Sequence, residues 1–214
     1  MTGSQIRGPG ENHAPIPLQW EKLNGKPLIY ASLGTLVNGL GHAYKTILEA
    51  VGKLSDVQVV LSIGTNINPD ILEPMPQNTI MVRKALQIEL LKRAALCITH
   101  AGLNTTLESL AQGVPMVAIP IAYDQPGISA RIAYHGVGEF VDLHGLSADS
   151  LLTLIRRVLT DRSYVERAQY FKGVIAKTRG LDIAADVIER AFQKAAASRE
   201  GCAAQPRTVN CETV

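Results

Sequence analysis

The stretch ITHAGLNTTLESLAQGVPMVAIPIAYDQP, residues 98 to 126, decides the fold of this chain. A short apolar run, ALCIT (95–99), leads into His100. A helical pattern, GLNTTLESLAQG (102–113), and a second apolar run, PMVAIP (115–120), follow. Strand, turn, amphipathic helix and strand in that order form the repeating unit of a parallel sheet. The first turn of such a helix has N–H donors without partners inside the helix, and its dipole adds partial positive charge, so phosphate binds there readily. His100, Gly102, Asn104 and Thr105 surround that helix start, and together they point to a nucleotide.

Outward from this stretch the alternation continues. LIYASL (28–33), VQVVLSI (57–63) and TIMV (79–82) are strand patterns, HAYKTILEAVGKL (42–54) is helical, and a short helical turn is expected at IELLKRA (88–94). Past Pro120 the chain turns helix-rich, with QPGISARIAYHG (125–136), SADSLLTLIRRVLT (147–160), RSYVERAQYFKGVIAKT (162–178) and LDIAADVIERAFQKAAAS (181–198); GEFVDL (138–143) is the one strand pattern among them. The predicted class is α/β, a parallel sheet flanked by helices on both faces. Residues 1–26, with Pro9, Pro15, Pro17 and several glycines, read as a linker or extended arm; 27–197 is the main domain; 198–214 lacks periodicity and reads as a disordered tail.

Composition excludes several classes. The 214 residues are 46% hydrophobic, enough for one sizeable core, and 21 Lys and Arg against 19 Asp and Glu leave a formal charge of only +2, too little to hold nucleic acid by counterion release. The apolar runs fall short of the roughly 18 residues that mark a membrane span. Cys97, Cys202 and Cys211 suit neither a disulfide framework nor a zinc site, so reduced thiols in a cytoplasm are expected and no metal is. There is no G-x-G-x-x-G after the first strand and no Walker pattern after Gly25-Lys26.

Three loops carry the candidate residues. Ser32, Gly34 and Thr35 end the first strand, at the carboxyl edge where open α/β sheets bind ligands; an ordinary strand-ending turn has the same composition. Glu108 lies one turn past Asn104 on the same helix face, where a carboxylate suits the two hydroxyls of a ribose. The alternative is purely structural: His100 closes the strand, Asn104 caps the helix and Glu108 favours its early turns. Asp124 and Gln125 sit on a third loop before Pro126, and there an acceptor beside a donor-acceptor pair fits vicinal sugar hydroxyls as well as a helix cap.

Together Trp20-Glu21-Lys22-Leu23, LIYASLGT, the Ala85-Leu86-Gln87 segment, THAGLNTTLESLAQGVPMVAIP and Asp124-Gln125-Pro126 resemble the C-terminal half of a nucleotide-sugar-dependent UDP-glycosyltransferase, near the bacterial macrolide and zeaxanthin glucosyltransferase branch. The match runs from about Trp20 to Ala191. The resemblance implies two facing Rossmann-like halves, a GT-B fold, of which this chain is the donor half. It places Ser32, Gly34 and Thr35 beside the diphosphate, with His100, Gly102, Asn104 and Thr105 holding its oxygens. Glu108 is placed on the ribose, the backbone of Ala85 and Gln87 on the uracil, and Asp124 with Gln125 on the donor sugar.

The implied reaction is inverting hexosyl transfer to a small-molecule hydroxyl without metal or cofactor, with UDP-glucose foremost among donors. No catalytic base is implied in this chain; His100 is the stabiliser of the leaving group. The acceptor half is expected to be absent, since only about 26 residues precede the first strand. A natural subunit completed by a separate acceptor-domain protein and a non-catalytic nucleotide-binding module are the alternatives. Two departures bear on the base. Leu86 stands where the family usually has proline, which predicts a looser loop, and Lys84 stands where many members stack an aromatic on uracil, which leaves TDP-sugars open.

Overall fold

In the computed structural model, residues 20–34 and 40–203 are described. The chain divides into two compact units, Met1–Ala176 and Lys177–Val214. All described site candidates lie in the first.

Six strands form one parallel sheet: β1 (Leu28–Ser32), β2 (Gln58–Ser62), β3 (Thr79–Val82), β4 (Ala94–Thr99), β5 (Met116–Ala118) and β6 (Gly138–Phe140), in the order β3-β2-β1-β4-β5-β6. Between them run α1 (Gly41–Gly52), α2 (Gln87–Leu91), α3 (Leu103–Gln112) and α4 (Gln125–Tyr134); α5 (Ala148–Thr160) and α6 (Arg162–Lys177) follow. β1 and β2 are buried along their whole length, as befits strands covered on both faces.

Alternate residues of β1 feed two cores. Ile29, Ala31 and Leu33 pack in a cluster with Tyr44, Ile47, Leu48 and Val51 of α1 and Leu151, Ile155 and Val158 of α5. Their spacing by three and four lines one stripe on each helix. Leu28 and Tyr30 belong to the other cluster, with Leu90 and Leu91 of α2, Met116 and Ala118 of β5 and Ile132 of α4. α5 begins in a capping box between Ser147 and Ser150, so Asp149 stands in its first turn and does not cap it.

The packed chain starts earlier than Pro27. Trp20–Lys22 forms a 3-10 turn, the buried Gln58 amide accepts from Asn24 N (2.8 Å) and donates to Lys22 O (2.8 Å), and the Arg93 guanidinium lies 4.6 Å over the Trp20 ring. Without those partners on β2 and after α2, the proline-rich composition reads as an arm. Residues 1–19 lie outside the described residues.

In the second unit α7 (Gly180–Ala203) runs beyond Ser198, where the sequence pattern predicts a tail. The Ala-rich sequence has no proline before Pro206, and Gly201 near its end is carried within the helix. Residues 204–214 are outside the described residues. Among the described residues no helix is long and apolar enough to cross a membrane.

Candidate functional site

The strand order places the site. From β1 the chain crosses to β2 on one side, and β4 returns to the other side of β1, so the loops after these two neighbours lead away from each other. At such a switch point the carboxyl edge of a doubly wound sheet leaves a crevice. Ser32 and Thr99, the last residues of β1 and β4, stand side by side in the ladder, and His100 follows directly.

The imidazole of His100 fills the space that two glycines leave open. A Cβ at Gly34 would come within 2.7 Å of both Cε1 and Nε2, and one at Gly102 within 2.5 Å of Nε2. Gly34 also has φ +85°, in the left-handed region where a side chain costs about 1–2 kcal/mol. The backbone between the glycines is held in place: Ala101 takes φ +62°, and its N–H donates to Oγ1 of the fully buried Thr99 (3.2 Å). Ser32 Oγ accepts from Gly34 N at 3.4 Å.

Gly102, with no side-chain cap, takes the cap position of α3, and Asn104 falls inside the first turn. The cap role that composition allowed Asn104 is therefore not used, and its side chain is exposed. His100 Nδ1 is buried without a hydrogen-bond partner among the described residues. Burial lowers the His100 pKa below the usual imidazole range, with the nearby Asp124 carboxylate opposing the shift. The imidazole is thus neutral at pH 7 and able to offer an N–H without carrying a charge.

A consequence for stability follows from that direction. The unfolded imidazole titrates near pH 6.5, so in the window below that value the unfolded chain binds more protons than the folded one. The His100 contribution is fully present above about pH 6.5 and is lost as pH falls through the folded value. Urea midpoints at pH 7.5 and 5.5 are expected to differ more in the wild type than in His100→Gln; equal differences would show that His100 is not protected from protonation.

A second cluster lies along α3. Tyr30 Oη, on a side chain only 2% exposed, donates to Gln87 Oε1 (3.0 Å). Gln87 Nε2 donates to Glu108 Oε2 (2.6 Å) and to Thr105 Oγ1 (3.2 Å). The sequence singled out Gln87 for its backbone, but here its side chain is the hub. Tyr30 and Thr99 escaped the sequence reading. Tyr30 stands two residues before Ser32 on the same strand face, and that register was the available signal.

The third loop brings Asp124 electrostatically near His100, 24 residues earlier in sequence. Asp124 is exposed, makes no side-chain cap bond to α4 and follows Tyr123, whose φ is +60°. Gln125 is turned inward: its Oε1 accepts from Ile121 N (2.8 Å) and Ala122 N (2.9 Å). The accepting half of that amide is thus taken by its own loop, leaving its NH2 as the donor. Ala85 is half-buried after β3. Leu86 has φ −75°, within the window a proline ring imposes, so the loop keeps the proline-like angle that its sequence does not enforce. Thr35 lies outside the described residues.

Residues 15–184 match the family described as UDP-glucoronosyl and UDP-glucosyl transferase. The NDP-glycosyltransferase YjiC of Bacillus subtilis (strain 168) is 32% identical over 171 residues, which are 80% of this chain and 43% of that protein. The zeaxanthin glucosyltransferase of Pantoea ananas is 33% identical over 188 residues, 84% of this chain and 42% of that one. The crystal structure of the glycotransferase of kitacinnamycin superposes with a TM-score of 0.71 at 30% identity, covering 77% of this chain and 43% of that chain. The chain spans less than half the length of each of these relatives. It belongs to the UDP-glucoronosyl and UDP-glucosyl transferase family and matches the C-terminal half of the two-domain GT-B fold.

Proposed function

We propose that this chain binds a nucleotide-diphosphate sugar, UDP-glucose foremost, as the donor half of an inverting, metal-independent glycosyltransferase acting on a small-molecule hydroxyl in the cytoplasm. The observation that carries this reading is the His100 imidazole clamped between Gly34 and Gly102 at the uncapped start of α3. Diphosphate oxygens suit that place because the N–H groups of the first turn and the imidazole N–H meet there, in a site whose positive end is fixed before the ligand arrives.

In this reading Ser32, Gly34 and Thr35 flank the diphosphate, and His100, Gly102, Asn104 and Thr105 hold its oxygens. Glu108 takes the ribose hydroxyls, Ala85 and Gln87 meet the base through their backbone, and Asp124 with the amide NH2 of Gln125 holds the sugar. An acceptor hydroxyl attacks the anomeric carbon from the face opposite the diphosphate. The bond from that carbon to the diphosphate oxygen breaks, its electron pair stays on that oxygen, and His100 with the α3 start stabilises the charge. In this reading the base that takes the acceptor's proton and the acceptor pocket come from outside this chain, and the chain alone is expected to show no transferase activity.

Calorimetric titration with UDP, TDP, ADP and NAD, then UDP-glucose, tests the reading. UDP is expected to bind in preference to ADP and NAD, and UDP-glucose more tightly than UDP. Asp124→Ala is expected to abolish the margin between UDP-glucose and UDP, worth about 1 kcal/mol or more, while sparing UDP. Equal losses for both ligands would remove Asp124 from the sugar, and failure of the folded protein to bind UDP would remove the reading itself.

A further inference from the structure

We infer that Tyr30, a residue with no place in the ligand contacts above, sets the preference of this site for ribose over 2′-deoxyribose nucleotides by positioning Glu108 through Gln87. The inference rests on the donor-binding reading of the site.

The polarity of the relay is fixed by chemistry. A carboxylate oxygen accepts, so the group of Gln87 that lies 2.6 Å from Glu108 Oε2 is the NH2. The Gln87 carbonyl then faces Tyr30 at 3.0 Å, and the phenol must donate. Burial raises the Tyr30 pKa well above the ordinary tyrosine range, so that donor keeps its proton at any working pH. With its carbonyl bound below, the Gln87 amide cannot turn over without setting its oxygen against the carboxylate.

One oxygen of Glu108 is thereby held, together with Thr105, and the half-buried side chain keeps a single orientation along α3. The remaining acceptor capacity of the carboxylate is what two vicinal hydroxyls need. A floppy carboxylate would take one hydroxyl nearly as well as two, whereas a fixed one penalises loss of the 2′-hydroxyl, since an acceptor placed for it goes unmatched. The phenol acts on the ligand only through this chain, which makes Tyr30 a positioning residue. On this proposal the choice between UDP and TDP, which Lys84 leaves open, is made at the ribose and not at the base.

The experiment compares UDP with 2′-deoxy-UDP, which share the base and the diphosphate, in the wild type, Tyr30→Phe and Gln87→Met. The wild type is expected to bind UDP about tenfold more tightly than 2′-deoxy-UDP. Both variants are expected to lose about five- to tenfold for UDP and less than twofold for 2′-deoxy-UDP, so that the ratio collapses. Gln87→Met cuts the same relay at its middle link and serves if Tyr30→Phe does not fold. In a Glu108→Ala background, Tyr30→Phe should change neither affinity. A preserved ratio, or equal losses for both nucleotides, would reduce Tyr30 to a structural residue and overturn the inference while the donor reading stands. Absence of binding to either nucleotide in the wild type would overturn both.

Discussion

Gly102→Ala is expected to cost UDP at least about tenfold in affinity while leaving the protein folded. Gly102 has φ −63° and ψ 137°, angles alanine adopts freely, so no backbone strain enters. The whole effect comes from contact: the new methyl would sit 2.5 Å from Nε2 and 2.7 Å from Cε1 of His100. The ring cannot slide toward the other wall, because Gly34 already approaches it from there. It must rotate away, and a phosphate bound as proposed would lose its imidazole partner, a hydrogen bond to a charged group worth about 1.5–3 kcal/mol. A double-mutant cycle isolates the cause. Once His100→Ala has removed the ring, Gly102→Ala should cost little more, whereas additive losses would mean that the methyl obstructs the ligand directly.

Gly138→Ala is expected to have the largest effect on stability, about 3 kcal/mol, which for a domain of this size lowers Tm by roughly 6–12 °C. A Cβ there would meet the Met116 carbonyl oxygen at 2.0 Å, its carbon at 2.8 Å and Ile132 Cγ2 at 2.9 Å. At position 102 the obstacle is a side chain that can leave; here it is the backbone of β5, and relief requires β6 to part from β5, its one neighbour in the sheet among the described residues. Thermal unfolding followed by circular dichroism reads the result. A Tm within about 2 °C of the wild type would show that the edge strand shifts at no cost.

The fold was legible because hydrophobic periodicity reports burial, and every strand and helix read from the sequence exists. The differences lie at the ends. PMVAIP reads as six residues of strand; the strand proper is Met116–Ala118, flanked by bonds from Cys97 N to Pro115 O and from Ile119 N to Thr99 O, and Pro115 and Pro120 have no N–H to extend the ladder. GEFVDL shortens to Gly138–Phe140 because the chain turns at Leu143–Gly145. The juxtaposition of Ser32 and His100 followed from their places at the carboxyl ends of two strand patterns, Ser32 ending β1 and His100 directly after β4. The cap fell to Gly102, where the helical pattern read from the sequence begins, and not to Asn104, the structural alternative. One feature did not follow. The hub at Gln87 joins Tyr30, 57 positions away, to Glu108, and nothing local in the sequence marks a bond formed across such a distance.

The clamp around His100 is defined by what positions 34 and 102 lack, namely a side chain. The proposed base and sugar ends are built differently, from the side chains and short loops at 84 to 87, 108 and 121 to 125. A directed-evolution library aimed at new donors therefore meets two kinds of ground. Almost any substitution at 34 or 102 adds atoms where none fit, and such clones should vanish from the pool whatever sugar is offered. Variation at 84, 86, 123 and 124 alters exposed or half-buried groups with little obstruction, so survivors with changed donor choice should concentrate there, each still carrying the same histidine between the same two glycines.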